Sequence, residues 1–285
     1  TMDLKIEKEN LSTRMSSLGV LVIDINSTNS IVEINTKKID GTNRSLFLGA
    51  THSEKKITVS GYYYVENELQ DEYMKDKLNG TFADTEPFYI TKMYTNQSLY
   101  GYERPGEKQG FDMLRVDKQR QYHYRYKVLL DGEINYDFQG FSDVGLLYEV
   151  SLTFKTVDLP FGITIPDDIE ITNSKMIEYR GTVPCSQLEW PWKVQIIAKK
   201  NLGAEFKLSI DEREFKYVGK RNILSGDKFL LEGTSFTLNG LNINDQTNIE
   251  YFILKPNEVG FIPFSTSFNI GEVEINILNK VDLYR

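Results

Sequence analysis

Residues 146–162, LLYEVSLTFKTVDLPFG, constrain this chain more than any other stretch. Leu146, Tyr148, Val150, Leu152 and Phe154 alternate with Leu147, Glu149, Ser151, Thr153 and Lys155. Side chains change face at every residue of a strand, so the alternation predicts a half-buried β-strand. The run ends at Asp158-Leu159-Pro160-Phe161-Gly162, with Pro166 just beyond. Proline cannot donate to a sheet ladder and biases the residue before it toward an extended conformation. A long strand thus stops in a restricted connector near the middle of the chain. The 285 residues are enough for two ordinary domains, and the connector predicts a boundary between residues 1–162 and 163–285.

Before that boundary the pattern is mostly strands. Short apolar runs at 20–25 and 31–34 flank a turn-forming Asn26-Ser27-Thr28-Asn29-Ser30 cluster, and Ile57, Val59, Gly61, Tyr63 and Val65 alternate. Residues 66–79 differ: Leu69, Tyr73 or Met74, and Leu78 follow helical spacing, and Asn79-Gly80 is a helix stop. Residues 99–110, LYGYERPGEKQG, read as a mobile loop. Tyr122, Tyr124, Tyr126, Val128 and Leu130 alternate again, then Ile134, Tyr136 and Phe138 follow Asp131-Gly132. A three-residue loop, Asp131-Gly132-Glu133, keeps the apolar positions of two paired strands on one face, so a hairpin with that odd loop is expected. Beyond residue 163 the pattern is short strands punctuated by turn signals, which indicates a sandwich or barrel.

Composition excludes several classes. Hydrophobic residues are 40% and charged residues 26%, which argues against disorder, and no run approaches the ~20 apolar residues of a membrane helix. The first ten residues are polar and show no signal peptide. A net charge of −8 opposes specific nucleic-acid binding or an anionic membrane as partner. The lone Cys185 forbids an internal disulfide and fits synthesis in a reducing compartment. Tyr 17 and Phe 16 against Trp 2 is the anomaly, consistent with a β-rich chain and with half-wet interfaces.

Catalytic chemistry finds no support. Only His52 and His123 accompany Cys185, so neither a nucleophile–base pair nor a tetrahedral zinc site is expected, and no nucleotide-binding motif is present. Asp167-Asp168 and Glu170 put neighbouring carboxylates on opposite faces and read as a solvated linker. Catalytic residues, metal ligands and cofactors are therefore all expected to be absent. Trp190-Pro191-Trp192 is the sharpest local feature. If exposed, the indoles of Trp190 and Trp192 stack on sugar rings. The competing reading buries one or both, because a strand begins at Val194.

The order of these features resembles a known family. An early strand pair, ITVSGYYYV leading into a helix that ends near LNG, and EPFYITKMY precede LTFKTVDLPFG. FKLSIDEREFKYVG, LSGDKFLLEG and the terminal GEVEINILNKVDLYR follow in the all-β second half. Together these resemble the distal tail proteins of siphophages that infect Gram-positive bacteria. The likeness lies in element order across nearly the whole chain, without an invariant motif.

That resemblance implies a mainly β protein: a β-sandwich-like, ring-forming N-terminal domain with one helix, and a C-terminal β-sandwich like galectins or carbohydrate-binding modules. It implies a virion protein of the tail tip, made in the host cytoplasm and assembled as a hexamer. Such a ring joins the tail-tube protein to a tail-associated lysin or fibre protein and anchors receptor-binding or baseplate proteins for host adsorption. A cell-wall glycan is a further partner if the second domain binds sugar. A six-fold ring uses heterologous contacts that close on themselves and bury on the order of 2,000 Å² or more. Tyr100, Tyr102 and Arg104 of the loop, with Tyr122 and Tyr124 of the tyrosine-rich strand, are candidates for ring or partner contacts. The alternative is a stand-alone carbohydrate-binding β-sandwich protein.

Overall fold

The alternating run at mid-chain is one strand, Gly145–Thr156, in the centre of the first sheet. Val150, Leu152 and Phe154 are fully buried, while their odd-numbered mates face the other side and stay partly accessible. The computed structural model describes residues 2–95, 119–142, 145–171, 176–269 and 271–285. It divides into two units, Thr1–Gly162 and Ile163–Arg285.

In the first unit, nine described strands form one antiparallel sheet. Its main path runs Leu11–Arg14, Met2–Lys8, Phe88–Thr95, Tyr126–Leu130, Gly145–Thr156, Lys56–Val65, Leu21–Ser27. The central strand pairs with Lys56–Val65 along nearly its whole length, from Leu146 opposite Val65 to Lys155 opposite Lys56. On its other edge the expected hairpin is not formed. Tyr126–Leu130 and Asn135–Ser142 both lie antiparallel to the central strand, with Leu130 opposite Phe154 and Asn135 opposite Ser151. The chain passes straight through Asp131-Gly132 as a bulge instead of reversing. The Asp131 amide donates to the Thr153 carbonyl at 2.7 Å, the Asp131 carboxylate pairs with Lys56 at 2.6 Å, and Gly132 supplies a φ of +88°.

The helix spans Glu68–Phe82, with the Asn67 side chain accepting from the Gln70 amide at its start. It runs past the expected stop at Asn79-Gly80 because Phe82 is buried against Phe88 and Phe154, with ring centroids 6.3 and 5.6 Å away. The buried face also differs from the apolar spacing. Leu69 and Tyr73 are 64% and 65% exposed, whereas Asp71 is buried with Leu78 and Phe82. Asp71 accepts from the Tyr63 hydroxyl at 2.7 Å and pairs with Lys75 at 2.7 Å, so its burial is compensated. Burial raises the phenols facing this pair: Tyr63 is pushed up strongly, and Tyr136 to about 12. A second, four-residue helical turn, Met15–Leu18, gave no periodic signal.

The second unit is a sandwich of two antiparallel sheets. One orders the strands Asp167–Glu170, Val273–Lys280, Lys193–Ala198, Lys228–Glu232, Ser235–Leu238, Leu241–Asn242. The other orders Met176–Glu178, Phe261–Thr266, Glu205–Ile210, Arg213–Val218. Rings from the two sheets meet in the core: Phe206 and Tyr217 lie 5.1 and 5.0 Å from Phe229, and Phe215 lies 4.9 Å from Phe236. The acidic stretch expected as a linker is the edge strand Asp167–Glu170. Asp168 accepts from the Asn279 amide at 2.7 Å, which ties that edge to the sheet.

One buried carboxylate gives this unit a pH dependence. Asp227 accepts from Arg221 at 2.7 and 3.1 Å, from the Leu224 amide at 2.9 Å and from Asn239 at 2.8 Å. The Arg221 guanidinium, the largest influence, helps hold its carboxyl down to about 2. A depressed folded pKa stabilises above the unfolded value and loses that stability as pH falls through the folded one. Urea unfolding of the full chain is therefore expected to lose on the order of 1–2 kcal/mol through this group between about pH 4 and pH 2. The loss should be absent from Asp227→Asn; an equally steep variant would refute the assignment.

Candidate functional site

The strongest candidate for an interaction surface is a hairpin that the sequence left half unread. Val32–Lys38 and Ser45–His52 pair with each other and form a separate two-stranded sheet. The register sets Val32, Ile34 and Thr36 opposite His52, Ala50 and Phe47, so one face carries Val32, Ile34 and Phe47. Glu33, Asn35, Lys37 and Thr51 occupy the other. The apolar face is open: Ile34 and Phe47 are each 64% exposed, while Leu46, opposite Lys37, is exposed on the other face and Leu48 is exposed at the register shift between them. An isolated two-stranded sheet is marginal in water, and a contiguous apolar patch of this kind marks a place that another surface covers. Lys37, Lys38 and Arg44 surround its tip with Asp40, giving a basic end to a chain whose net charge is −8. The signal was present as the alternation Val32-Glu33-Ile34 and the run Leu46-Phe47-Leu48, which were too short to stand out.

Of the tyrosines singled out from the sequence, Tyr122 and Tyr124 come together in the first unit. Tyr94, Tyr122, Tyr124 and Tyr126 form a chain of edge-on rings with successive centroids 5.9, 4.7 and 5.4 Å apart. Tyr122 is partly exposed and Tyr126 is buried, so the chain leads from the surface into the core. Lys55 lies beneath it, only 4% exposed, with its ammonium 5.2 Å from the Tyr126 ring and no ion pair among the described residues. Lys92 donates to the Ser27 hydroxyl at 2.9 Å. Burial lowers both lysines, and the Lys92 charge further lowers Lys55. Tyr100, Tyr102 and Arg104, the other candidates, lie outside the described residues.

Trp192 is not available as a sugar platform. Trp192 is 0% exposed, its indole N–H donates to the Cys185 carbonyl at 3.3 Å, and it stacks on Phe252. A fully buried ring offers no face to a ligand. Trp190 is half-buried, with its N–H donated to the Asn279 carbonyl at 2.9 Å. Gln187 reinforces this corner, donating to the carbonyls of Trp192 and Leu231. Trp192 is thus a core residue, placed by the strand that starts beside it.

Among the described residues no group of histidine, cysteine, aspartate or glutamate side chains is arranged to hold a metal, and no described helix is long and apolar enough to cross a membrane. Cys185 is buried, and desolvation pushes its thiol up to about 12. Since the thiolate is the reactive form, iodoacetamide at pH 8 is expected to leave native Cys185 unmodified and to label it fully in guanidinium chloride. Rapid labelling of the native chain would contradict its placement in the core.

Residues 6–156 match the family model described as the phage tail protein RIFT-related domain. The whole fold is similar to that of the SPP1 Dit (gp 19.1) protein, described as a paradigm of the hub adsorption apparatus in phages infecting Gram-positive bacteria. That likeness covers 100% of both chains at a TM-score of 0.64 and 11% identity. A baseplate structure of phage p2 in its activated conformation is similar over 99% of both chains, with 10% identity and a TM-score of 0.37 that carries no weight for the fold. No curated protein sequence matches the chain.

Proposed function

The chain belongs to the family of the phage tail protein RIFT-related domain, and from this we propose that it is a structural hub of a siphophage tail tip. In this reading the first unit, Thr1–Gly162, forms the ring, and the second, Ile163–Arg285, is the outward β-sandwich. Six copies close into a ring between the tail-tube protein and a tail-associated lysin or fibre protein. Receptor-binding or baseplate proteins dock on its rim. The protein performs no catalysis.

The observation that carries this reading is the open face of Val32, Ile34 and Phe47 on a hairpin that is exposed along its length. Among the described residues nothing covers it, and a second copy suits it best. A basic tip on an acidic chain is complementary to the rest of its own surface, and the apolar face meets a different surface of the neighbour. Such a contact is heterologous, which permits closure into a ring. Among the described residues the sheet's terminal strands, Leu11–Arg14 and Leu21–Ser27, are each paired on one side only, the kind of edge that accepts a further strand.

The test is solution mass by light scattering over a wide concentration range, together with antibody labelling of intact virions. A climb toward six copies and label confined to the tail tip support the hub. A chain that stays monomeric at every concentration, with no label at the tip, would sink it.

A further inference from the structure

The outer edge of the second unit's four-stranded sheet is closed by one side chain instead of a strand. Arg213–Val218 ends that sheet and pairs with Glu205–Ile210 on one side. Along its other side runs the segment 244–251, between the buried Ile243 and Phe252. Asn248 does most of the closing. Its side chain accepts from the Lys216 amide at 2.8 Å and donates to the Glu214 carbonyl at 2.7 Å, and its own amide donates to the Lys216 carbonyl at 3.2 Å. Further along, the Gln246 side chain accepts from the Lys220 amide at 3.2 Å. The Glu214 and Lys216 backbone groups point away from Glu205–Ile210, so they are those a further strand would use.

The segment is held by hydrogen bonds and charges. None of residues 244–251 is buried. Its remaining ties are an ion pair of Lys220 with Asp245 at 2.6 Å and the Arg213 guanidinium, which lies 4.2 Å from the Tyr251 ring centroid and pairs with Glu250. Ile249 sits in the left-handed region at φ +52° with its side chain 53% exposed. A β-branched residue is strained there, and at that exposure its packing offsets little of the strain. A segment with few buried contacts and stored strain opens at low free energy relative to the sandwich it rests on.

The strand under this strap suits a second copy of itself. Antiparallel pairing of two Arg213–Val218 strands about Phe215 sets Glu214 of each copy opposite Lys216 of the other. In that register the Lys216 amide of each copy donates to the Glu214 carbonyl of the other, and the Glu214 amide donates to the Lys216 carbonyl. The groups that Asn248 occupies are thereby all satisfied, and two opposite-charge pairs form across the seam. We propose that residues 244–251 are a releasable strap, and that lifting it lets the second units of two copies join edge to edge through Arg213–Val218. The contact is two-fold and closes at two copies. It uses no residue of the hairpin, so its failure and the failure of the hub reading are separate results.

The test uses the full chain carrying Ile34→Asp and Phe47→Asp, which keeps the hairpin out of any association. Adding Asn248→Ala is expected to speed amide exchange at Lys216 about tenfold in dilute solution. It is also expected to strengthen pairing at least about tenfold, read by light scattering as a mass that rises to two copies and stops. Exchange at Lys216 then slows again as pairing saturates. Adding Lys216→Glu sets like charges opposite each other and is expected to return the chain to a monomer. Ile249→Asn alone relieves the left-handed strain and is expected to slow exchange at Lys216 about fivefold. Thermal unfolding checks each variant, and Asn248→Ser takes the place of Asn248→Ala should the latter fail to fold. Unchanged exchange would overturn the strap, and a strict monomer the pairing. A dimer indifferent to Lys216→Glu, or a mass that climbs past two copies, would overturn this edge as the contact.

Discussion

The double substitution Ile34→Asp, Phe47→Asp is expected to leave the chain folded and to hold it as a monomer at concentrations where the unchanged protein associates. Both side chains are largely open to solvent within one chain, so their loss removes little intramolecular packing. Across an interface each large apolar side chain contributes about 1.5–3 kcal/mol on burial. Two such losses, with carboxylates placed where an apolar surface should meet them, weaken each contact on the order of a hundredfold or more. Because every copy in a ring presents the same hairpin once, every contact is weakened alike. Light scattering on both proteins at matched concentrations reads the result directly. If the variant associates as the parent does, the hairpin is not the contact, and the open sheet edges become the next place to look. If the variant unfolds at a lower temperature, the hairpin has an intramolecular role that its exposure does not reveal.

Phe154→Ala is expected to be the most damaging single change in the first unit. Phe154 is fully buried on the central strand and touches Phe82 from the helix and Phe88 from the neighbouring sheet region, at centroid distances of 5.6 and 5.9 Å. Removing the ring leaves a cavity bounded by three elements that cannot easily collapse, at a cost of about 3–5 kcal/mol. In a unit of this size that corresponds to a melting temperature lower by about 10 °C or more. Tyr73→Ala is the informative control. Its place in the helical apolar spacing predicts a core residue, yet it is exposed and should cost less than about 0.5 kcal/mol. Equal damage from the two would mean that the helix packs through the face the sequence suggested. Circular dichroism melts of both variants separate these cases.

Much of this architecture was legible because its determinants are local. The alternation Val150, Leu152, Phe154 needs only a two-sided sheet environment to become a strand, and Asp158 to Gly162 needs only proline chemistry to end it. The strand-and-turn rhythm after residue 163 likewise signals a sandwich regardless of how the strands are ordered. The inventory of reactive groups was equally legible, since two histidines and one cysteine limit the chemistry before any folding occurs. The hairpin was less legible. Its apolar residues read as ordinary short strands, and nothing local tells a strand that packs on its own core from one whose apolar face stays exposed.

The sequence by itself determined the periods, the stops and the inventory of reactive groups. The tertiary structure alone decided direction and burial. Asp131-Gly132 is a turn signal in any short window, but here the long central strand offers a continuous edge, and the Thr153 carbonyl and Lys56 hold the chain straight through it. Asp71 is a surface residue by type, yet Tyr63 and Lys75 satisfy its carboxylate and let the helix bury it in place of Leu69 or Tyr73. Trp192 is a plausible sugar platform until Phe252 and the Cys185 carbonyl enclose it. In each case the deciding partner comes from another element of the fold. Hydrogen-bond satisfaction and close packing depend on such partners, so a reading of local pattern could not supply them.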